Sequence, residues 1–373
     1  MYLKNIKIQN FRNYDNLSLE FEKGLNIIYG NNGQGKTNLL ESLYVLGMTK
    51  SHRSYIDNKL IKDGKNSFKI NGNLLINHIK SKLELSYDGK VKLLKIDNND
   101  IKRVSDYVSL MNVIIFYPDD LNLIKGSPFE RRRFLNSEVS QLSGEYLNVL
   151  NDYNKLLKMR NDYLKNKQID NNYLNILTDY LIDKAVIIYK MRYKFVEKLN
   201  KCINDIYKDL SNIEGFNIVY KTSFLINDFN KEALKTELKH QFEKNKIKEL
   251  KNKITLIGPH RDDLEFLIKN DNIKNFGSQG QQRMAILALK LAEIEIINQY
   301  KGSYPILLLD DVFSELDRKK RGNLLKYLEN DIQTIITTTD LTNISKKIRD
   351  KSKLINIENA KIKKIVEVID CGK

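Results

Sequence analysis

The feature that most restricts this chain is the segment Gly30-Asn31-Asn32-Gly33-Gln34-Gly35-Lys36-Thr37, which fits the pattern G-x-x-x-x-G-K-[ST]. It follows the apolar run LNIIY and leads into TNLLESLYVLG, so strand, glycine-rich turn and helix come in the order a phosphate-binding loop needs. Glycines permit the positive φ angles and close approach that let backbone N–H groups and the helix N-terminus surround phosphate oxygens. Lys36 is expected on the β- and γ-phosphates of a bound nucleotide. Thr37 is expected to give its hydroxyl to Mg²⁺, an ion that fills an octahedral shell with oxygens, including those of phosphate and water. Asn38 opens the helix and joins the nucleotide-binding set.

Near the other end, Ile306 to Leu309 lead directly into Asp310 and Asp311. This reads as a buried parallel strand with carboxylates at its C-terminal tip, where open α/β sheets bind ligands. Asp310 is expected to hold the Mg²⁺ or its water, and Asp311 to orient or deprotonate the attacking water. Lys36, Asp310 and Asp311 form the candidate catalytic set, with Thr37 and Asp310 as metal ligands. A solvated acidic turn is the bland alternative, and the phosphate loop weakens it. Upstream, Ser278, Gln279 and Gly280 precede the helical QQRMAILALKLAEIEIINQY. Such a polar helix start presents free amides that can bind a terminal phosphate, although alone it is an ordinary capped helix.

Between these pieces the periodicity changes. Residues 2 to 29 and 68 to 96 alternate apolar and polar positions in short runs, as antiparallel strands do. From about Pro128, Leu174, Leu177, Leu181, Ile188, Phe195, Leu199, Ile206 and Leu210 recur at steps of three, four and seven. They predict a long helix that pairs with the preceding helical segment in a hairpin joined near Lys165 to Asn172. Residues 215 to 252 add a possible strand at Phe216, Ile218 and Tyr220 and a strongly charged helix. A chain of 373 residues has room for two domains or for one head with an insertion.

The order of phosphate loop, Ser-x-Gly-Gln helix start and DD strand followed by SELD is that of ATP-binding-cassette ATPases. With NFRNY (10 to 14), KSHR (50 to 53), FYPDDLNLIKGSPFERRRFLN (116 to 136), GPHRDDLEF (258 to 266), GSQGQQR and LLLDDVFSELD, the chain resembles the RecF family of DNA repair ATPases. The resemblance implies an α/β cassette head built from residues 1–117 and 254–373, with an inserted, mainly α-helical lobe at 118–253. It implies that two heads close on two ATP molecules as a homodimer. Ser278 to Gln282, with Gln281 among them, would then meet the γ-phosphate of the other subunit, with Ser314 to Asp317 at the same seam. It places Arg12 and Asn13 beside the nucleotide. It also implies weak, switch-like ATP hydrolysis, DNA binding at single-strand gaps and duplex junctions, and recombinase loading with RecR and RecO. Three positions depart from the pattern. Asp311 is a methylene shorter than the usual Glu, Thr337-Thr338-Thr339-Asp340 stands where many relatives carry His, and Asn136 stands where Asp is common.

The formal net charge of +16 suits a polyanionic partner, with Arg131, Arg132 and Arg133 and the lysine-rich stretches at 231 to 253 and 344 to 364 as candidate phosphate contacts. No base-reading motif is recognisable, so binding is expected to be independent of sequence. Apolar runs stop well short of the roughly 20 residues a membrane-spanning helix needs. The opening MYLKNIKIQNF lacks a secretory h-region, which leads to the expectation of a cytoplasmic protein. Cys202 and Cys371 have neither CxxC spacing nor enough companions for zinc. A transporter-energising subunit and a nucleotide-sensing scaffold that scarcely hydrolyses ATP are the competing readings.

Overall fold

The computed structural model describes residues 1–312, 321–322, 324, 332–342 and 344–368, so Ser314 to Asp317 and Cys371 lie outside the described residues. The chain forms two compact units, Met1–Asp120 with Glu293–Lys373, and Leu121–Ala292.

The first unit opens with β1 (Tyr2–Phe11), β2 (Tyr14–Glu20), β3 (Leu25–Tyr29) and α1 (Lys36–Met48). It continues with β4 (Phe68–Ile76), β5 (Ile79–Tyr87), β6 (Lys92–Ile96), β7 (Asn99–Asp100), α2 (Val104–Val108) and β8 (Val113–Phe116). Strands in the order β2-β1-β4-β5-β6-β7 make an antiparallel sheet. Its alternation has the predicted cause: Leu3, Ile6, Ile8, Leu17 and Leu19 point into the core, and Ile6 pairs with Leu19 and Ile8 with Leu17. The tight β4–β5 turn places Asn77 and His78 at φ 46° and 69°, the primed turn geometry that matches strand twist.

The second unit contains α3 (Asn122–Lys125), α4 (Pro128–Leu142), α5 (Gly144–Tyr163), α6 (Asn171–Ser211), β9 (Phe216–Lys221), α7 (Lys231–Asn252), β10 (Asp263–Ile268), β11 (Asp271–Asn272) and α8 (Ile273–Phe276). α9 (Gln279–Lys301) begins in this unit and ends in the first. The hairpin of long helices is present. Ser143 caps α5 by accepting from Tyr146 N, Asp170 caps α6 by accepting from Asn172 N, and the whole predicted leucine-rich stripe of α6 is buried. The unit is not purely helical, because β11-β10-β9 form a small antiparallel sheet. That pairing, from Asp263↔Lys221 to Ile268↔Phe216, goes with a second unit that takes in residues 254 to 292, beyond the boundary at 253 that the family resemblance implies.

The chain then completes the first unit with β12 (Ile306–Asp310), β13 (Thr334–Thr338), α10 (Lys346–Asp350), β14 (Ser352–Glu358) and β15 (Lys361–Val366). The resulting sheet runs β15-β14-β3-β13-β12-β8, drawing strands from both ends of the sequence. The central strands are parallel, and β12 and β13 are buried along their whole length, which suits the continuous apolar run Ile306 to Leu309 of β12.

Candidate nucleotide site

Parallel strands end on the same edge of a sheet, so the segments after β3 and β12 come together in space although far apart in sequence. β13 lies between them, pairing Thr337 with Ile28 on one side and with Asp310 on the other. Thr37 Oγ1 donates to Asp310 Oδ1 at 2.9 Å, and Thr337 Oγ1 donates to the same oxygen at 2.7 Å. The Thr337 hydroxyl also accepts from the Asp311 amide at 3.1 Å, and Asp311 holds φ 52°, an uncommon left-handed conformation for a residue with a side chain. One threonine therefore organises both members of the acidic pair. Thr337, the first of the four residues that stand where many relatives carry His, is thus committed to the aspartates.

Lys36 is buried at the start of α1 and donates to Gly30 O at 2.6 Å and Asn31 O at 2.8 Å. Burial holds its pKa below the ordinary lysine value, against the opposing pull of Asp311 and Asp310. Around it, Gly30, Gly33 and Gly35 take φ 151°, 78° and 108°. At Gly35 the requirement is also steric, since a Cβ would stand 2.9 Å from Asn13 Nδ2 and from the Tyr14 hydroxyl. Tyr14 donates to Gly35 O at 3.1 Å, and Asn38 Nδ2 donates to Asn13 Oδ1 at 2.9 Å, so the β1–β2 turn packs against the loop. Gln34 meets a different turn: its Oε1 accepts from Asn359 N at 2.6 Å and its carbonyl from Ala360 N at 3.0 Å. Asn31, Asn32 and Gly33 are exposed.

Arg12 stands beside this loop, held by a carboxylate that the sequence reading passed over. Glu41, with no exposed surface, takes both Arg12 Nε and Nη2 at 2.8 and 2.7 Å and accepts from Ser51 Oγ at 2.5 Å. Arg53 Nη1 donates to Asn38 Oδ1 at 3.1 Å and lies 3.5 Å from Glu41 Oε2. The signal for Glu41 was available: a lone carboxylate in the apolar helix TNLLESLYVLG is buried only if paired.

In the second unit Ser278 and Gln281 form a reciprocal capping box at the start of α9. Ser278 N donates to Gln281 Oε1 at 2.8 Å, and Gln281 N donates to Ser278 Oγ at 3.3 Å. Gln282 is buried and its amide reaches Ile273 O and Gly277 O, both at 3.1 Å. Ser278, Gln279 and Gly280 are exposed, as is Phe276 at 76%. The sequence-predicted site residues thus fall in two groups, the loop with the aspartates in one unit and the helix start in the other, while Asp317 lies outside the described residues.

Residues 2–364 match the family described as the RecF/RecN/SMC N terminal domain. The chain is 43% identical over 367 residues to the DNA replication and repair protein RecF of Exiguobacterium sp., covering 97% of this chain and 99% of that relative. The chain belongs to the RecF family. The RecF of Listeria monocytogenes serotype 4b is 41% identical over 369 residues, covering 98% of this chain and all of that protein. A solved structure of the recombination mediator protein RecF-ATP in the RecFOR pathway matches with TM-score 0.91 at 32% identity over 98% of each chain. An Smc head bound to the C-winged helix domain of ScpA matches at TM-score 0.53 and 16% identity, a likeness of fold alone. The architecture is therefore that of a cassette-type, SMC-like ATPase head carrying a mainly α-helical lobe.

The RecF-family segments of the lobe prove to be internal scaffolding. Arg131 is buried and grips both oxygens of Asp263 at 2.5 and 3.0 Å, while Arg132 Nη1 donates to Asp262 O at 2.8 Å. The ERRR run is therefore not a ready-made phosphate-binding face. Arg131 and Arg132 fasten α4 to the GPHRDD loop, while Arg133 lies 3.9 Å from Glu130 of its own helix. In that loop Asp262 accepts from Arg192 at 3.1 Å and from the Tyr220 and Tyr189 hydroxyls at 2.5 and 3.3 Å. Burial nevertheless pushes its carboxyl up to about 6, against the pull of Arg192. Asn136, the departure noted in the sequence, accepts from Arg192 Nη2 at 2.8 Å and from Tyr146 OH at 2.9 Å, so an amide oxygen here does what a second carboxylate would do elsewhere. Among the described residues no helix is long and apolar enough to cross a membrane, and no group of three or more His, Cys, Asp or Glu side chains is placed to hold a metal.

Proposed function

We propose that this RecF-family protein is an ATP-switched, cytoplasmic DNA-binding protein of recombinational repair and replication restart. In this reading ATP closes two copies at single-strand gaps or duplex junctions, where with RecR and RecO they help load recombinase, and slow hydrolysis opens them again. The observation that carries the reading is the convergence of Thr37 and Thr337 on Asp310, beside Asp311 and the buried Lys36.

Thr37 and Asp310 offer one hydroxyl and one carboxylate, a donor set that fits an ion completing its shell with phosphate and water rather than with a protein cage. When bound, Mg²⁺ supplies charge neutralisation and orientation of the phosphates, and Thr37 and Asp310 would hold it. Lys36 binds the β- and γ-phosphates, its ammonium exchanging the Gly30 and Asn31 carbonyls for phosphate oxygens. Asp311 orients the attacking water and accepts its proton. Its side chain is shorter than the usual Glu, which favours switch-like turnover. Gln279 and Gly280 are exposed at a helix N-terminus, between the Ser278 and Gln281 amides that the capping box engages, a start suited to the γ-phosphate held by the other copy. ATP then stabilises the closed dimer because it binds that form more tightly than the open one. Support for ATP as ligand comes also from the match to the RecF-ATP structure.

The test is sedimentation of wild type and Lys36→Met with ATP, ADP or no nucleotide, with and without gapped DNA at moderate salt. Dimerisation and tighter DNA binding are expected only for wild type with ATP. Nucleotide-indifferent assembly would overturn the clamp and leave a scaffold that merely carries an ATP site.

A further inference from the structure

Gln34 sits at the fifth position of the phosphate loop, and nothing in phosphate binding requires an amide side chain there. Its surroundings give it another task. β14 runs parallel to β3, pairing Ile355 with Ile28 and Asn356 with Tyr29. Where β3 bends into the loop, β14 continues to Glu358 and reverses through Asn359 and Ala360, at φ 51° and 56°, before Lys361 pairs back with Glu358. This two-residue turn directs both its amides at Gln34, Asn359 N onto the side-chain oxygen at 2.6 Å and Ala360 N onto the main-chain carbonyl at 3.0 Å. The same hairpin touches the loop at its other end, since a Cβ on Gly30 would stand 2.3 Å from Ile357 O.

We propose that Gln34 is a positioning residue for nucleotide binding, acting through the Asn359–Ala360 turn, which holds the phosphate loop in its phosphate-receiving conformation before nucleotide arrives. The inference rests on the ATP-binding reading above. Three of the loop's residues are glycines at positive φ, and glycine loses more conformational freedom on ordering than any other residue. A loop ordered in advance does not bear that cost at the moment of binding. A trans peptide sets its N–H opposite its C=O, so fixing the Gln34 carbonyl toward the turn directs the Gly35 N–H to the other side. The turn is itself anchored. Glycine would suit φ 56° better than alanine, but the Ala360 side chain is buried in the core of the head, which seats the turn where glycine would not.

The experiment uses the full chain as wild type, Gln34→Met, which keeps the volume without the amide, and Gln34→Glu, which keeps the acceptor. Binding of ADP and ATP with Mg²⁺ is measured by calorimetry, steady-state ATP hydrolysis gives KM and kcat, and hydrogen exchange reports the amides of Asn359 and Ala360. Loss of one net hydrogen bond of about 0.5–1.5 kcal/mol predicts roughly threefold to tenfold weaker binding of both nucleotides by Gln34→Met. KM is expected to rise, kcat at saturation and the nucleotide-free Tm to stay near wild type, and the turn amides to exchange faster. Gln34→Glu, which restores the acceptor, is expected to protect those amides again. Exposed turn amides with wild-type nucleotide affinity would overturn the brace, as would weakened binding by Gln34→Met with turn amides that exchange as slowly as in wild type. Failure of wild type itself to bind ATP would overturn the nucleotide reading and the brace with it.

Discussion

Thr337→Val is the substitution that most sharply tests the architecture of the site. The side chains are nearly the same shape, valine suits a strand at least as well as threonine, and the position is buried in the middle of the sheet, so propensity and packing together predict a neutral change. The hydrogen bonds predict otherwise. The hydroxyl gives a 2.7 Å bond to a carboxylate and accepts a 3.1 Å bond from the Asp311 amide. A hydrogen bond to a charged group contributes about 1.5–3 kcal/mol, and stranding a buried amide costs about 1–3 kcal/mol, so a loss of roughly 3–5 kcal/mol is expected. For a unit of roughly 200 residues, at about 2–4 °C per kcal/mol, Tm should fall by around 6–20 °C. Asp311 also loses the contact that helps hold its left-handed backbone, so kcat for ATP hydrolysis should drop by about tenfold or more, toward the value for Asp311→Asn. Thr337→Ser keeps the hydroxyl and is expected to retain most of both. Thermal unfolding and steady-state hydrolysis on the three variants decide the matter. A Thr337→Val protein with wild-type Tm and kcat would refute the claim that this hydroxyl organises the aspartates.

Two further outcomes concern the lobe. His260 is neutral in its pocket, its ring nitrogens engaged by Tyr153 OH at 2.5 Å and Thr255 O at 3.1 Å, and burial pulls its pKa from 6.5 down to about 4. A depressed base contributes stability present above pH 6.5 and lost as pH falls toward about 4, on the order of 3 kcal/mol at full loss. Asp262, raised from 3.8 to about 6, has the opposite linkage: its contribution is present below pH 3.8 and lost as pH rises through 6. The two largely offset each other between about pH 4 and 6. His260→Gln should therefore uncover an unfolding free energy that falls with rising pH across that window, and denaturant titrations at pH 4, 5, 6 and 7 that retain the wild-type profile would contradict it. Arg131→Ala should cost the lobe about 3 kcal/mol by leaving Asp263 without its fork, yet leave the salt dependence of DNA binding unchanged. A fall of about 0.9 in the slope of log affinity against log salt would instead mark Arg131 as a phosphate contact.

Much of this molecule was legible locally. The phosphate loop, the strand ending in Asp310 and Asp311, the hairpin of long helices and the capped start of α9 each depend on residues within one turn, one strand or one helical period of each other, and each stands where the pattern placed it. The arginines at 131 and 132 were misleading for a physical reason. A guanidinium run looks the same in sequence whether it faces water or closes on Asp263 and the Asp262 carbonyl, and only the partner, some 130 residues away, distinguishes the two. The extent of the second unit is not legible locally for the same cause, because the pairing of β10 with β9 spans the charged helix between them.

Sequence by itself determined what chemistry the chain offers, since the phosphate loop at Gly30 to Thr37 and the strand ending in Asp310 and Asp311 are fixed by residue type and by short spacing. Tertiary structure alone decided how that chemistry is held. The insertion of β13 between β3 and β12 turns Thr337 into the organiser of the aspartates, and the parallel pairing of β14 with β3 brings Asn359 and Ala360 onto Gln34. Strand order and burial join residues some 300 positions apart, and a polar side chain reveals its role only when such a partner supplies the hydrogen bond that burial demands.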